Sequence, residues 1–199
     1  MKKGIIGAGG FGREVYWSLS STERVNTKFF VDDKYWDGKN NLILPISKFN
    51  PDEYEVVIAI GEPKDRFDIV QRLPKETKYF THIHSTVQIL GEDVEIGEGS
   101  IVCAGSIITT NVKIGKHAHL NLHTTIGHDC EVGDYFTTAP GAKVSGNCKI
   151  LDCVYIGTNA SVKEKLSIHD SVTIGSNAAV VKDIEEPGTY VGVPVKKIK

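Results

Sequence analysis

The segment Lys113-Ile114-Gly115-Lys116-His117-Ala118-His119-Leu120-Asn121-Leu122-His123-Thr124-Thr125-Ile126-Gly127-His128-Asp129-Cys130-Glu131-Val132 decides how the chain is read. Ile114, Leu120, Ile126 and Val132 recur at every sixth position, and Ala118, Thr124 and Cys130 follow them four residues later. Extended outward, the first series starts at Leu90, passes through Ile96, Val102 and Ile108, and continues to Val180, broken only by Thr138. The second series, from Val94 to Ile184, is mostly small or apolar. A double register of this kind is the hexapeptide repeat of a parallel β-helix. Alternate side chains of short strands point in and out, so the two series fill the interior and the remaining positions face outward. Three hexads per coil predict about five coils and a prism about 25 Å tall.

The 199 residues suffice for this prism plus one smaller unit, which gives boundaries of 1–80 and 81–199. A net charge of −2 and a pI near 6.4 supply no basic face for nucleic acid or an anionic membrane. The N-terminal apolar run is too short for a signal peptide, and no stretch has the length of a membrane span, so the expected location is cytoplasmic. The four cysteines follow no metal-finger spacing. Cys130 and Cys148 are inward and stacked one coil apart, close enough for a disulfide, and in a reducing compartment are expected to be buried thiols.

Ahead of the repeat, the strand-like Lys3-Gly4-Ile5-Ile6 runs into Gly7-Ala8-Gly9-Gly10-Phe11-Gly12 and a helical Arg13–Leu19. Such glycines permit a tight turn and a phosphate on the helix N-terminus. Asp32 and Asp33 end a second strand, Lys28–Val31, where a carboxylate can accept hydrogen bonds from ribose or a base edge. A third strand, 56–60, ends at Gly61 before a helix over about 64–73. About eighty residues hold one mononucleotide-binding half, so a nucleotide sugar fits better than NAD. A tight turn without a ligand is the competing reading of the glycines.

Outward chemistry concentrates in Asn121 through Cys130. His128 is the third residue of its hexad, Asp129 follows it, and the eighteen-residue stack sets Gly146 above it, where a missing side chain leaves room for substrate. A pairing of His128 with Asp129 requires a bend at the coil corner, because extended neighbours point to opposite faces. His117, His119, His123 and His128 also admit a zinc site like that of the γ-class carbonic anhydrases, which use the same prism.

On Gly7 through Gly12 with Asp32-Asp33, Ile58-Ala59-Ile60-Gly61, Asn121 through Gly133, Ala139-Pro140-Gly141-Ala142 and Val191 through Lys196, the whole chain resembles the bacterial nucleotide-sugar acetyltransferases of the sialic acid O-acetyltransferase and bacillosamine N-acetyltransferase family. The resemblance implies an α/β Rossmann-like βαβ domain followed by an all-β left-handed β-helix, an exception to right-handed crossovers, assembled as a homotrimer. It implies acetyl-CoA in the groove between prisms and a nucleotide-linked sugar held by Gly7, Gly9, Gly10, Phe11, Gly12, Asp32, Asp33 and Gly61. By the same resemblance His128 is the general base, Asp129 its acid partner and Asn121 the residue beside the acceptor group. Thr137, Gly146, Lys163, Lys182 and Pro194 are the candidates to meet acetyl-CoA, with no metal. Some relatives carry a second active-site histidine nine residues after the first, where this chain has Thr137. The expected reaction is direct N-acetylation of a 4-amino-4,6-dideoxy sugar for surface glycans. Sugar O-acetylation, a γ-class metalloenzyme and a non-catalytic scaffold are the alternatives.

Overall fold

The computed structural model describes residues 1–199. Five strands, β1 (Lys2–Ile6), β2 (Thr27–Val31), β3 (Ile43–Pro45), β4 (Tyr54–Ile58) and β5 (Lys78–Tyr79), form a wholly parallel sheet in the order β3-β2-β1-β4-β5. Helix α1 (Gly10–Ser18) covers one face through Val15, beside Leu19, Ile5 and Val57. A short helix, α2 (Ser21–Val25), leads into β2, and α3 (Pro63–Arg72) covers the other face through Ile69, against Ile6, Phe30 and Ile58. Burial on both faces explains the apolar ends of the two central strands, Gly4-Ile5-Ile6 in β1 and Val56-Val57-Ile58 in β4. Beyond the three strands expected from sequence stand β3 and β5, both short; the proline that closes β3 is tolerated because that strand lies at the sheet edge.

From His82 the chain winds into a three-sided parallel β-solenoid. Successive coils pair at an eighteen-residue interval, as in Ile114↔Val132, Ile126↔Val144 and Ile150↔Ile168. One side carries six strands, the second five, and the third eight, of which the last two are Gly188–Val191 and the antiparallel Lys196–Lys197. Twenty-four buried residues of the two series form one core. Every corner residue from Asn111 to Asn177, at six-residue spacing, has a positive φ of 51–62°, Gly141 taking its place once at 74°. Left-handed non-glycine backbone costs on the order of 1 kcal/mol each and persists because the coils above and below dictate the corner.

Two points of the expected register are corrected. The Leu90 side chain is 63% exposed and outside the core, although its N–H donates to the Ile108 carbonyl of the next coil: Ile108 pairs with Ile89 and Val102 with Ile83. The first coil is thus one residue longer at the corner before Glu95, and the solenoid starts at His82 with six coils. Thr138 does not interrupt packing either. It is fully buried, its hydroxyl 2.7 Å from that of Thr124, and it accepts the Asn121 N–H at 3.0 Å. All four cysteines are free; the Cys130 and Cys148 thiols donate to the carbonyls of Ser145 and Lys163.

The sheet is joined to the solenoid by Arg66 of α3, which is fully buried without a carboxylate partner. Its Nε donates to the His117 carbonyl, Nη1 to those of Ile60 and Gly61, and Nη2 to the Tyr135 carbonyl and the Thr137 hydroxyl, at 2.8–3.1 Å. Burial pushes the guanidinium down to about 9, still protonated at neutral pH. Beside it lie His117, between Tyr79 and Tyr135, and His119, whose Nε2 meets the Ile58 carbonyl at 2.9 Å. Burial and the Arg66 charge lower His117 to about 4 and His119 well below its usual value, so both are neutral.

Replacing Arg66 by Met leaves buried carbonyls without donors, each worth about 1–3 kcal/mol. Denaturant unfolding of Arg66→Met is expected to lose at least about 3 kcal/mol, with the sheet unit melting before the solenoid; a single transition at the wild-type midpoint would contradict the junction described. The two imidazoles bind protons more readily when unfolded, so stability falls as pH drops from 6.5 toward 4, His117 alone contributing about 3 kcal/mol. Melting temperatures across that window should decline, and a His117→Gln/His119→Gln protein should show a flatter profile.

Candidate active site

His128 sits at the corner between strands Thr125–Ile126 and Glu131–Val132, its side chain 57% exposed. The φ of 59° at Asp129 supplies the bend that the sequence required, and Asp129 Oδ2 lies 2.7 Å from His128 Nδ1. Asn111, one coil earlier, donates from Nδ2 to Asp129 Oδ1 at 2.7 Å. These two hydrogen bonds, that from Asn111 first, hold the Asp129 carboxyl below the usual carboxylate range. With Nδ1–H directed at a carboxylate, the lone pair of His128 resides on Nε2, the arrangement of a base.

Gly146 stacks directly above, but the space is used differently from expectation. A Cβ there would stand 2.7 Å from His128 Cε1 and Nε2, so the missing side chain seats the imidazole itself. The Gly146 N–H donates to no carbonyl or side chain of the chain. Lys163 and Lys182 are exposed on the same edge of the prism, two and three coils above His128. Pro194 is exposed in the turn between Val191 and Lys196, where neighbouring Gly192 and Val195 bond Ala179.

Asn121 leaves the preceding corner, separated from His128 by the whole Thr125–Ile126 face, about 20 Å of extended chain. One chain does not bring the two together. Asn121 instead lines a cavity of about 290 Å³ between the solenoid and the sheet, with Phe11, Glu14, Gly61, His119 and Tyr155. Its Oδ1 accepts the Leu122 N–H at 2.8 Å, which leaves the amide NH₂ as the free donor. Thr137, expected on the outside, borders this cavity but is 4% exposed; its hydroxyl donates to the Gly61 carbonyl and accepts from Arg66. The imidazole of this cavity belongs to His119, paired in register with Thr137 one coil earlier. Hexad numbering could have placed His119 under Thr137; that the sheet would cover that face had no local signal.

A larger cavity of about 1320 Å³ opens at the strand ends of the sheet, lined by Gly7, Gly9, Asp32, Asp33, Ser47 and Arg72 among others. Gly7 has φ 106°, and Gly9 caps α1. Ser47 holds the Asp33 carboxyl low, first through its side chain and then through its N–H, which donates to Asp33 Oδ1 at 3.1 Å. Gly10, Phe11, Gly12 and Gly61 do not line it. Gly12 is buried against the Gly7 carbonyl, which a Cβ there would strike; Gly10 opens α1; Phe11 and Gly61 face the smaller cavity. The Gly7–Phe11 loop and Ile60–Gly61 therefore border both spaces. The four histidines considered for zinc do not converge: His117 and His119 are buried at the junction, and His123 and His128 occupy different corners.

The PglD N-terminal domain family matches residues 4–73. GDP-perosamine N-acetyltransferase of Escherichia coli O157:H7 is 31% identical over 153 residues, 72% of this chain and 69% of that protein. Among solved structures, WeeI from Acinetobacter baumannii AYE is 35% identical with a TM-score of 0.87, covering 98% of this chain and 99% of its own. The acetyltransferase domain of PglB from Neisseria gonorrhoeae FA1090, solved in complex with acetyl coenzyme A, is 25% identical with a TM-score of 0.85 and 99% coverage of both chains. A glycine-loop sheet docked on a hexad solenoid, with kinship of this extent, makes the chain a member of the nucleotide-sugar N-acetyltransferase family.

Proposed function

We propose that this protein transfers an acetyl group from acetyl-CoA to the amino group of a nucleotide-linked 4-amino-4,6-dideoxy sugar, in the cytoplasm, for surface-glycan synthesis. The observation that carries the reading is the exposed His128–Asp129 pair, with a free lone pair on Nε2 beside an unengaged Gly146 N–H. The nucleotide occupies the larger cavity, its phosphates at Gly7–Gly9, and the sugar crosses the loop toward Asn121. The 31% identical relative named for GDP-perosamine and the neighbour crystallised with acetyl coenzyme A support both substrates.

Nε2 of His128 takes the proton as the amine nitrogen bonds to the thioester carbon; the carbon–sulfur bond breaks, and the thiolate leaves with a proton returned by the imidazolium. Asp129 stabilises that imidazolium, and the Gly146 N–H faces the charge that develops on the carbonyl oxygen. Lys163 and Lys182, on the edge above, meet the phosphates of the coenzyme. Because Asn121 and His128 leave opposite ends of one face, a complete site takes Asn121 from one subunit and His128 from its neighbour in a homotrimer. Direct transfer suffices: Cys103 is pushed up to about 12 by burial, and no histidine partners it.

His128→Ala should lower turnover by about 10² to 10⁴, measured with acetyl-CoA and a panel of GDP-, UDP- and dTDP-linked 4-amino-4,6-dideoxy sugars; near wild-type turnover would remove the assignment. Mixed oligomers of inactive His128→Ala and Asn121→Ala subunits should regain activity, whereas no recovery contradicts a shared site. Gly146→Ala displaces the imidazole and should reduce kcat by about ten- to a hundredfold, with little change in melting temperature.

A further inference from the structure

Asp129 is gripped at both oxygens. Oδ2 faces His128 Nδ1 at 2.7 Å, and Oδ1 accepts from Asn111 Nδ2 at 2.7 Å. Asn111 occupies the same corner one coil earlier, with φ 51°, and its backbone in turn holds the Asp93 carboxyl below its usual range. On the other side of Asp129, Asn147 offers no side-chain hydrogen bond to the pair; its backbone N–H donates to the His128 carbonyl at 2.7 Å. The carboxylate plane is therefore set from below, by one amide.

We propose that Asn111 is a positioning residue, the far member of an Asn111–Asp129–His128 relay that fixes the plane and charge of Asp129 and through it the tautomer and aim of the base. The inference rests on His128 acting as that base. A carboxylate 44% exposed on a corner, held by one hydrogen bond only, rotates freely about its side-chain bonds. A second bond from the Asn111 side chain, itself exposed but anchored on the fixed corner backbone of the neighbouring coil, restricts that freedom and keeps Oδ2 on Nδ1–H. The Asn111 donor also favours the ionised form of Asp129, so the imidazolium formed during transfer retains its counter-charge.

The test uses the intact oligomer and the sugar-nucleotide panel with acetyl-CoA. Asn111→Gly removes the amide without adding strain at a positive φ. It should lower kcat by about tenfold or more, with both KM values and the melting temperature near wild type. Asn111→Asp sets a second carboxylate against Asp129. Its added negative charge should move the acidic limb of the kcat/KM profile to higher pH as His128 binds its proton more tightly. In an Asp129→Asn background, Asn111→Gly should cause no additional loss, since the relay is already cut. Wild-type kcat in Asn111→Gly, or an equal loss in both backgrounds accompanied by a lowered melting temperature, would overturn the relay while leaving the base in place. Full activity of His128→Ala would instead overturn the base and the relay together.

Discussion

The Arg66 guanidinium is the contact on which the geometry of the smaller cavity depends. Buried without a carboxylate, it exhausts its donors on backbone carbonyls of both halves and on one hydroxyl. A charge taken from water at this cost persists because every N–H finds an oxygen. That satisfaction orients the Ile60–Gly61 strand end against the Tyr135–Thr137 corner, and so places the glycine loops over the solenoid face that carries Asn121. Two neutral histidines beside the guanidinium complete the junction, since a second cation there would face the Arg66 charge at close range.

Stacking sets the remaining distances. An eighteen-residue coil converts sequence spacing into position: His128 falls under Gly146, Asn111 under Asp129, and His119 under Thr137. The left-handed corner backbone is imposed by the same stack, and at Asp129 it turns a neighbour that would otherwise point away toward the imidazole. The strain of a structural corner thereby serves the chemistry. The triangular cross-section has the opposite consequence for Asn121, seven residues from His128 in sequence and one full face away in space.

Most of the solenoid was legible beforehand, because the inward positions from Val102 to Val180 obey a strict period that only a stacked coil satisfies. Sequence and structure differ where the period carries no information. Leu90 matches the apolar series but sits beside a one-residue insertion, visible only in the strand pairing. Thr138 looks like a gap and is instead a buried hydroxyl paired with Thr124. Thr137 reads as an outward residue, yet the sheet covers that face of the prism. In the first unit, β3 has no sequence signature, because three residues ending in proline carry no periodicity.

By itself the sequence determined the coil, the inward residues, the glycine loop and the adjacency of His128 and Asp129 at one corner, since each is a local pattern. Only the tertiary structure decided which prism face the sheet covers, that Gly146 seats the imidazole, that Asn111 steadies Asp129, and that His119 shares a cavity with Asn121. Those relations join residues up to 76 positions apart, and they depend on how buried donors and acceptors of two units satisfy one another, which no stretch of sequence encodes alone.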